Sequence, residues 1–150
     1  MRALSLPISS SVILDTGPLG KLAHPNPKPA DLHWLNELLH AGIRVYLPEV
    51  ADFEIRRNLL VYRFVTSIRR LDELKSTLVY MPITTSAMLL AAEFWAELRR
   101  SGNPVADPKE LDCDVILAAQ AHQVGAVVAT DNVGHLSRLV TARHWRSITA

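Results

Sequence analysis

The chain has 150 residues, 49% of them hydrophobic, and 16 lysines and arginines nearly balance 15 aspartates and glutamates. That length suits one domain spanning residues 1–150 and is short for two, and the balanced charge excludes nucleic-acid binding driven by the overall field, so such a case must rest on local clusters. The sole cysteine, Cys113, cannot close an internal disulfide and has no neighbours at zinc-ligand spacing, no stretch approaches the roughly 20 apolar residues of a membrane helix, and the first ten residues, with Pro7 among them, read as neither signal nor anchor. A soluble, cytoplasmic protein without a membrane partner is the expectation.

Ser11 to Asp15 is a short β-branched run without polar alternation, the pattern of a strand covered on both faces, and it ends at an acid. Thr16-Gly17-Pro18 offers a turn and a helix start, with Thr16 as cap. Three prolines between His24 and Pro29 demand an extended loop. Asp31 is expected to cap a helix with Leu32, Leu35, Leu38 and Leu39 on one face, stopped at Gly42, and Ile43 to Leu47 reads as a second strand. Pro48 opens the next helix, where Val50, Phe53, Leu60, Val61 and Phe64 recur at roughly helical spacing and Glu54 lies in the second turn.

A helix over Ser67 to Lys75 and a strand over Leu78 to Pro82 follow, then an amphipathic helix from Thr84 to Arg100 with Gly102 as its stop. Asp107-Pro108-Lys109-Glu110 has capping-box form and is expected to open a short turn, ahead of a helix from Cys113 to Val124 that ends at Gly125. Ala126 to Thr130 is another apolar strand ending at an acid, Asp131, and Arg143 to Ile148 reads as the last strand. Strands alternating with helices argue for an α/β domain around a mainly parallel sheet.

In an open parallel sheet, ligands bind beyond the carboxyl ends of the strands. Asp15 and Asp131 hold that place for two strands, and Asp114 begins the helix leading into the second. They converge only if the first and fourth strands are neighbours. Glu54, early in a helix that follows a strand, points to the same edge. Carboxylates that close repel one another and are tolerated mainly when a cation neutralises them; oxygen ligands alone suit Mg2+ or Mn2+. Each acid also has a local reading: Asp15 as a turn or helix cap, Glu54 as a solvated helix residue, and Asp131-Asn132 as a polar turn. Asp112 and Asp114, two residues apart, cannot share one helical face, so Asp112 is assigned the cap and Asp114 the chemistry.

These residues together resemble the PIN domain, and within it the VapC-type ribonuclease toxins. Val12-Ile13-Leu14-Asp15-Thr16-Gly17-Pro18-Leu19 is similar to the family's opening strand and first acid. Leu47-Pro48-Glu49-Val50-Ala51-Asp52-Phe53-Glu54-Ile55-Arg56-Arg57 resembles its second motif, with Glu54 rather than Glu49 in the acid slot. Asp114-Val115-Ile116-Leu117-Ala118-Ala119-Gln120-Ala121 resembles the third, and Val128-Ala129-Thr130-Asp131-Asn132-Val133-Gly134-His135-Leu136 the closing segment. Asn132 stands where the family often has its fourth acid, while Asp131 falls one place earlier. The resemblance implies a PIN-like α/β fold, a mainly parallel sheet flanked by helices on both faces. It also implies one or two Mg2+ or Mn2+ ions held by Asp15 and Asp114 with help from Glu54, Asp131 or Asn132 completing the outer shell, and hydrolysis of RNA phosphodiesters. A homodimer bound by an antitoxin is the partner expectation it carries.

Residues 55 to 70 contain Arg56, Arg57, Arg63, Arg69 and Arg70 with no acid among them. Arginine can grip phosphate bidentately, so Arg56, Arg57 and Arg63 lead the candidates for contact with RNA or with an acidic antitoxin segment; charge does not choose between these, and an ordinary solvated helix face is the simpler alternative. Trp34, Trp95 and Trp145, dispersed in sequence, read as core or interface residues rather than stacking platforms. Two rivals stand beside the ribonuclease. One is a non-catalytic PIN-like module that binds RNA or protein, which Asn132 favours. The other is a Mg2+-dependent phosphohydrolase, which the absence of a second acid beside Asp15 and of any lysine after Lys109 disfavours.

Overall fold

A two-residue strand, β1 (Leu4–Ser5), precedes β2 (Ser11–Leu14), whose Val12, Ile13 and Leu14 are fully buried. This burial is what a β-branched run without alternation requires: successive side chains point to opposite faces, and both faces must be covered. The computed structural model describes residues 3–7, 10–101 and 108–150, the side chains of 108–110 excepted. Helices α1 (Thr16–Leu22) and α2 (Pro29–His40) lead to β3 (Arg44–Pro48), then α3 (Glu49–Val61), α4 (Val65–Thr77) and β4 (Val79–Met81). Helices α5 (Thr85–Arg100) and α6 (Pro108–Val124) lead to β5 (Val127–Thr130), β6 (Ala142–His144) and β7 (Ile148–Thr149).

Among the described residues the main sheet is five-stranded, in the order β4-β3-β2-β5-β6, and all its pairings are parallel. Six helices among the described residues flank it. On one face Val12 and Leu14 pack with Leu19 and Leu22 of α1, Leu35 and Leu38 of α2, and Leu71 and Leu74 of α4. On the other, Ile13 and Val128 pack with Leu117, Ala118 and Ala121 of α6, and α6 in turn joins α5 through Leu111, Val115 and Ala119 against Ala87 and Ala91. The expected α/β class with helices on both faces is therefore the observed one.

The strand order reverses beside β2, because β3 and β4 extend the sheet to one side and β5 and β6 to the other. The first and fourth of the sequence-read strands are thus neighbours, with Leu14 set against Ala129. The condition for bringing the strand-end acids together is met, and the reversal marks the crevice where open α/β sheets take ligands.

Several local readings are corrected. Asp15, not Thr16, is the N-cap of α1, its Oδ1 accepting the Thr16 N–H at 2.7 Å. Asp31 does not cap α2, which opens at Pro29, a residue whose fixed φ and missing N–H suit the first helical position. Asp31 is instead buried and accepts from Arg146 Nη1 at 2.8 Å. Pro48 closes β3 and holds the N-cap place of α3 rather than opening the helix. The last strand is broken by a 3-10 turn at Trp145–Ser147, leaving β6 in the main sheet and β7 paired in parallel with β1. Of the apolar residues at helical spacing in this segment, Val50 is buried while Phe53, Leu60, Val61 and Phe64 are all more than half exposed, because α3 packs inward through Val50 and Ala51 and, further along, Ile55 and Leu59. Gly102 and Asp107 lie outside the described residues.

Trp34 and Trp145 meet edge to face at 5.0 Å, and the Trp34 indole N–H donates to the Ile148 carbonyl at 3.0 Å. The C-terminal turn is thereby fastened to α2, as it is by the Asp31–Arg146 pair. Arg146→Ala should leave the Asp31 carboxylate buried without its cation and lower stability by about 1–3 kcal/mol. Asp31→Asn, which keeps the volume and loses the charge, should cost less in the same urea titrations; a larger loss for Asp31→Asn would show that the pair does not act this way.

Candidate active site

Asp15 ends β2 at the crevice. Its backbone N–H donates to the Ala129 carbonyl at 3.0 Å, continuing the β2–β5 ladder by one bond. Its carboxylate is held on both oxygens: Oδ1 by the Thr16 N–H, and Oδ2 by the Thr130 hydroxyl at 2.7 Å. The cap reading and the site reading of Asp15 therefore coexist in one geometry. Thr130 is buried, and its hydroxyl also accepts the Asn132 N–H at 3.1 Å.

Glu54 stands on α3, which follows β3, the neighbour of β2 on the other side. Asp114 stands in the first half of α6, which leads into β5 and so has its N-terminal half toward the same carboxyl edge. Both acids bear on Cys113. Burial pushes the Cys113 thiol up to about 11, with the Glu54 charge and hydrogen bond and the Asp114 charge acting in the same direction and Arg57 opposing them. Glu54 and Asp114, 60 residues apart, are thus brought within electrostatic reach of one side chain.

Asp112 is not a cap. Helix α6 already runs at Pro108, so Asp112 lies inside it, exposed, beside Trp95 and Met88 on the α5 side. The capping-box prolyl start at Pro108 wins over the later start expected at Cys113, since nothing in Glu110-Leu111-Asp112 interrupts a helix.

Asp131 turns away from the other acids toward α1. It accepts from Lys21 Nζ at 2.8 Å and from the Trp145 indole N–H at 2.8 Å, with His144 Nε2 at 4.0 Å. Burial works against its ionisation, but the Lys21 and Trp145 hydrogen bonds and the Lys21 charge outweigh that, and Asp131 is held below the ordinary carboxylate range. It also packs onto Gly17: a methyl group there would lie 2.8 Å from Asp131 Cγ. Sequence reading missed Lys21, Trp145 and the need for glycine at 17, because the residues that call for them lie 14 to 114 positions away.

The basic stretch is divided by the fold. Arg56 is engaged by Asp52 at 2.9 Å and Asp72 at 2.7 Å. Arg57 lies over the Phe53 ring, and Arg70 donates to the Leu22 carbonyl at the end of α1. Arg63 adopts a left-handed φ of 55° at the turn from α3 to α4 and, with Gly20, Ala23, Ile55, Leu59 and Phe64, lines an apolar groove of about 620 Å3.

The donor set at the crevice is carboxylate oxygen, which suits a hard divalent cation. Among the described residues, no three His, Cys, Asp or Glu side chains are already grouped as a metal site.

The sequence matches no family model and no curated protein. Solved structures do share the fold. VapBC2 from Rickettsia felis, bound to a DNA fragment from its promoter, matches with a TM-score of 0.73 at 15% identity over 89% of this chain and 97% of that one. FitAcB from Neisseria gonorrhoeae matches with a TM-score of 0.62 at 23% identity over 90% and 98%. VapBC-1 from nontypeable Haemophilus influenzae matches at 0.68 and 19% over 91% and 98%. The fold is that of the VapC-type PIN domain, the fold to which the motif resemblance points.

Two outcomes follow from the Asp131 geometry. Gly17→Ala should displace the Asp131 carboxylate and lower stability by about 1–3 kcal/mol, as overpacking does; unchanged thermal melting would refute this. A folded carboxyl held below its unfolded value contributes stability that is present above the unfolded pKa and lost as pH falls through the folded one. The melting-temperature difference between wild type and Asp131→Asn should therefore hold steady above about pH 5 and shrink below about pH 4. A difference that widens on acidification would reverse the sign.

Proposed function

We propose that the chain is a Mg2+- or Mn2+-dependent endoribonuclease that hydrolyses RNA phosphodiester bonds, the toxin of a VapC-type toxin–antitoxin pair acting in the cytoplasm. The observation that carries this is the strand-order reversal at β2 and β5, where Asp15 ends one strand against Thr130 of the other, with Glu54 and Asp114 drawn to the neighbouring helices. In this reading Asp15, Glu54 and Asp114 would hold the ion. The ion would supply an acidified water and polarisation of the scissile phosphate. Asp15 is pre-set for this work by its two hydrogen bonds, which fix its carboxylate in place. Asp131, matched to Lys21 and Trp145, acts here as an outer support rather than a ligand.

The α3–α4 end supports an antitoxin partner. Phe53, Leu60, Val61, Tyr62, Phe64 and Val65 are each exposed by more than half, beside the 620 Å3 groove. A surface of this kind suits an amphipathic segment with apolar anchors, and Arg63 at its rim suits an acidic one. Met88 and Leu89, exposed on α5, support a homodimer. Among the described residues no helix is long and apolar enough to cross a membrane.

A non-catalytic RNA- or protein-binding module is the second reading, favoured by Asn132 standing where the resemblance expects a fourth acid. Cleavage of a pool of structured RNAs by the purified chain separates the two. Wild type should cut with Mg2+ or Mn2+ and stop on chelation. Asp15→Asn and Asp114→Asn, shown to be folded by circular dichroism, should each lose more than about 100-fold, beyond the loss caused by an outer-shell partner. Wild type inert with both ions would decide for the binding module.

A further inference from the structure

The carboxyl edge of the sheet continues past the acids. Beyond the end of β5 and along the edge strand β6 lies a cavity of about 480 Å3 whose walls include Asn132, Val133, Ser137, Ala142, Arg143 and His144. That size falls within the roughly 300–1,000 Å3 typical of small-ligand sites. Most of its lining is apolar, with Ala142 buried and Val133 39% exposed, while Asn132, Arg143 and His144 bring groups that recognise polar ligands.

The acid in this wall is already answered. Asp131 is matched by Lys21 and Trp145, so an anion entering the cavity meets a carboxylate with its cation in place. Arg143 brings positive charge; one of its N–H groups donates to the Ala142 carbonyl at 2.9 Å, which steadies a guanidinium carrying five donors. His144 Nδ1 accepts the Arg146 N–H at 3.3 Å, which places the proton of the neutral ring on Nε2 and makes that nitrogen a donor. The cavity is also tied to the acid site through one side chain, since the Thr130 hydroxyl donates to Asp15 and accepts from the Asn132 backbone N–H.

We propose that this cavity is a nucleotide subsite, taking one nucleotide of the RNA chain beside the scissile phosphate. The base rests against Val133 with its edge read by the Asn132 amide, which offers both a donor and an acceptor as a nucleobase edge does. The attached phosphate is met by Arg143 and His144. The proposal takes its substrate class from the RNA-cleaving reading but does not need turnover.

The test is titration of the 15N-labelled full chain, without added metal, with each nucleoside 5′-monophosphate and separately with inorganic phosphate, followed by amide chemical shifts. Saturable shifts at Asn132, Val133, Arg143 and His144 are expected with nucleotides, and Arg143→Ala, a change at an exposed residue, should weaken them about tenfold, the size of one charge-assisted hydrogen bond. Arg69→Ala, on the far helix α4, should bind as wild type does. In the cleavage assay Arg143→Ala should raise KM with kcat nearly unchanged. No shifts at these amides, shifts indifferent to Arg143→Ala, or equal shifts with phosphate alone would overturn the subsite, even if the chain cuts RNA. Nucleotide binding here by a chain that cuts nothing would retain the subsite and sink the nuclease reading instead.

Discussion

The parallel pairing of β2 with β5 is the constraint from which the rest of the site follows. Parallel neighbours cannot be joined by a tight turn and need a crossover over the faces of the sheet, so β3, β4 and most of the helical chain lie between these two strands in sequence. Asp15 and Thr130, 115 positions apart, reach hydrogen-bond distance only because that chain is packed away on both sides. The fully buried Val12, Ile13, Leu14, Val128 and Ala129 hold the register. A one-residue slip would turn each of them to the wrong face, and the Thr130 hydroxyl would no longer meet Asp15.

Around this seam the charges are sorted. On the β5–β6 side the acids are answered by cations around Trp145: Asp131 by Lys21, Asp31 by Arg146, with both cations also close to the Trp145 ring. On the α3–α6 side Glu54 and Asp114 act together on Cys113, and their joint influence exceeds the opposing one from Arg57. The Asp131 carboxylate is held by Lys21 and Trp145, whereas Glu54 and Asp114 add to the effect of burial in raising the Cys113 thiol. Asp131 and Asp114 both follow the pattern of an acid beside an apolar run, yet the fold gives them different surroundings.

The element order and the acid positions were legible in the sequence because they rest on short-range signals: apolar runs of four or five residues for the buried strands, and prolines and glycines at the helix ends. Asp15 stood out because it follows a strand, and Glu54 and Asp114 because each lies near an expected helix start, although α6 in fact begins at Pro108 and Asp114 falls in its second turn. Boundaries that depended on competing local signals went astray, as at α6, where Pro108 opens the helix well before Asp112. The exposure of Leu60, Val61 and Phe64 was not legible either, since helical spacing shows that a face is apolar and says nothing about what covers it. The run of arginines from Arg56 looked unmatched for a similar reason: its acids, Asp52 and Asp72, lie just outside it and reach Arg56 through one turn of α3 and through α4 packed alongside.

By itself the sequence determined the α/β class, the sheet-forming segments and the acid that ends the first long strand, because these follow from local periodicity and backbone chemistry. Only the tertiary structure decided which strands are neighbours, that Asp131 turns to Lys21 and Trp145, that Gly17 must lack a side chain to admit it, and that a cavity opens beside Asn132. Those facts depend on contacts between residues tens of positions apart. Such contacts are set by packing of the whole chain, and no local pattern encodes them.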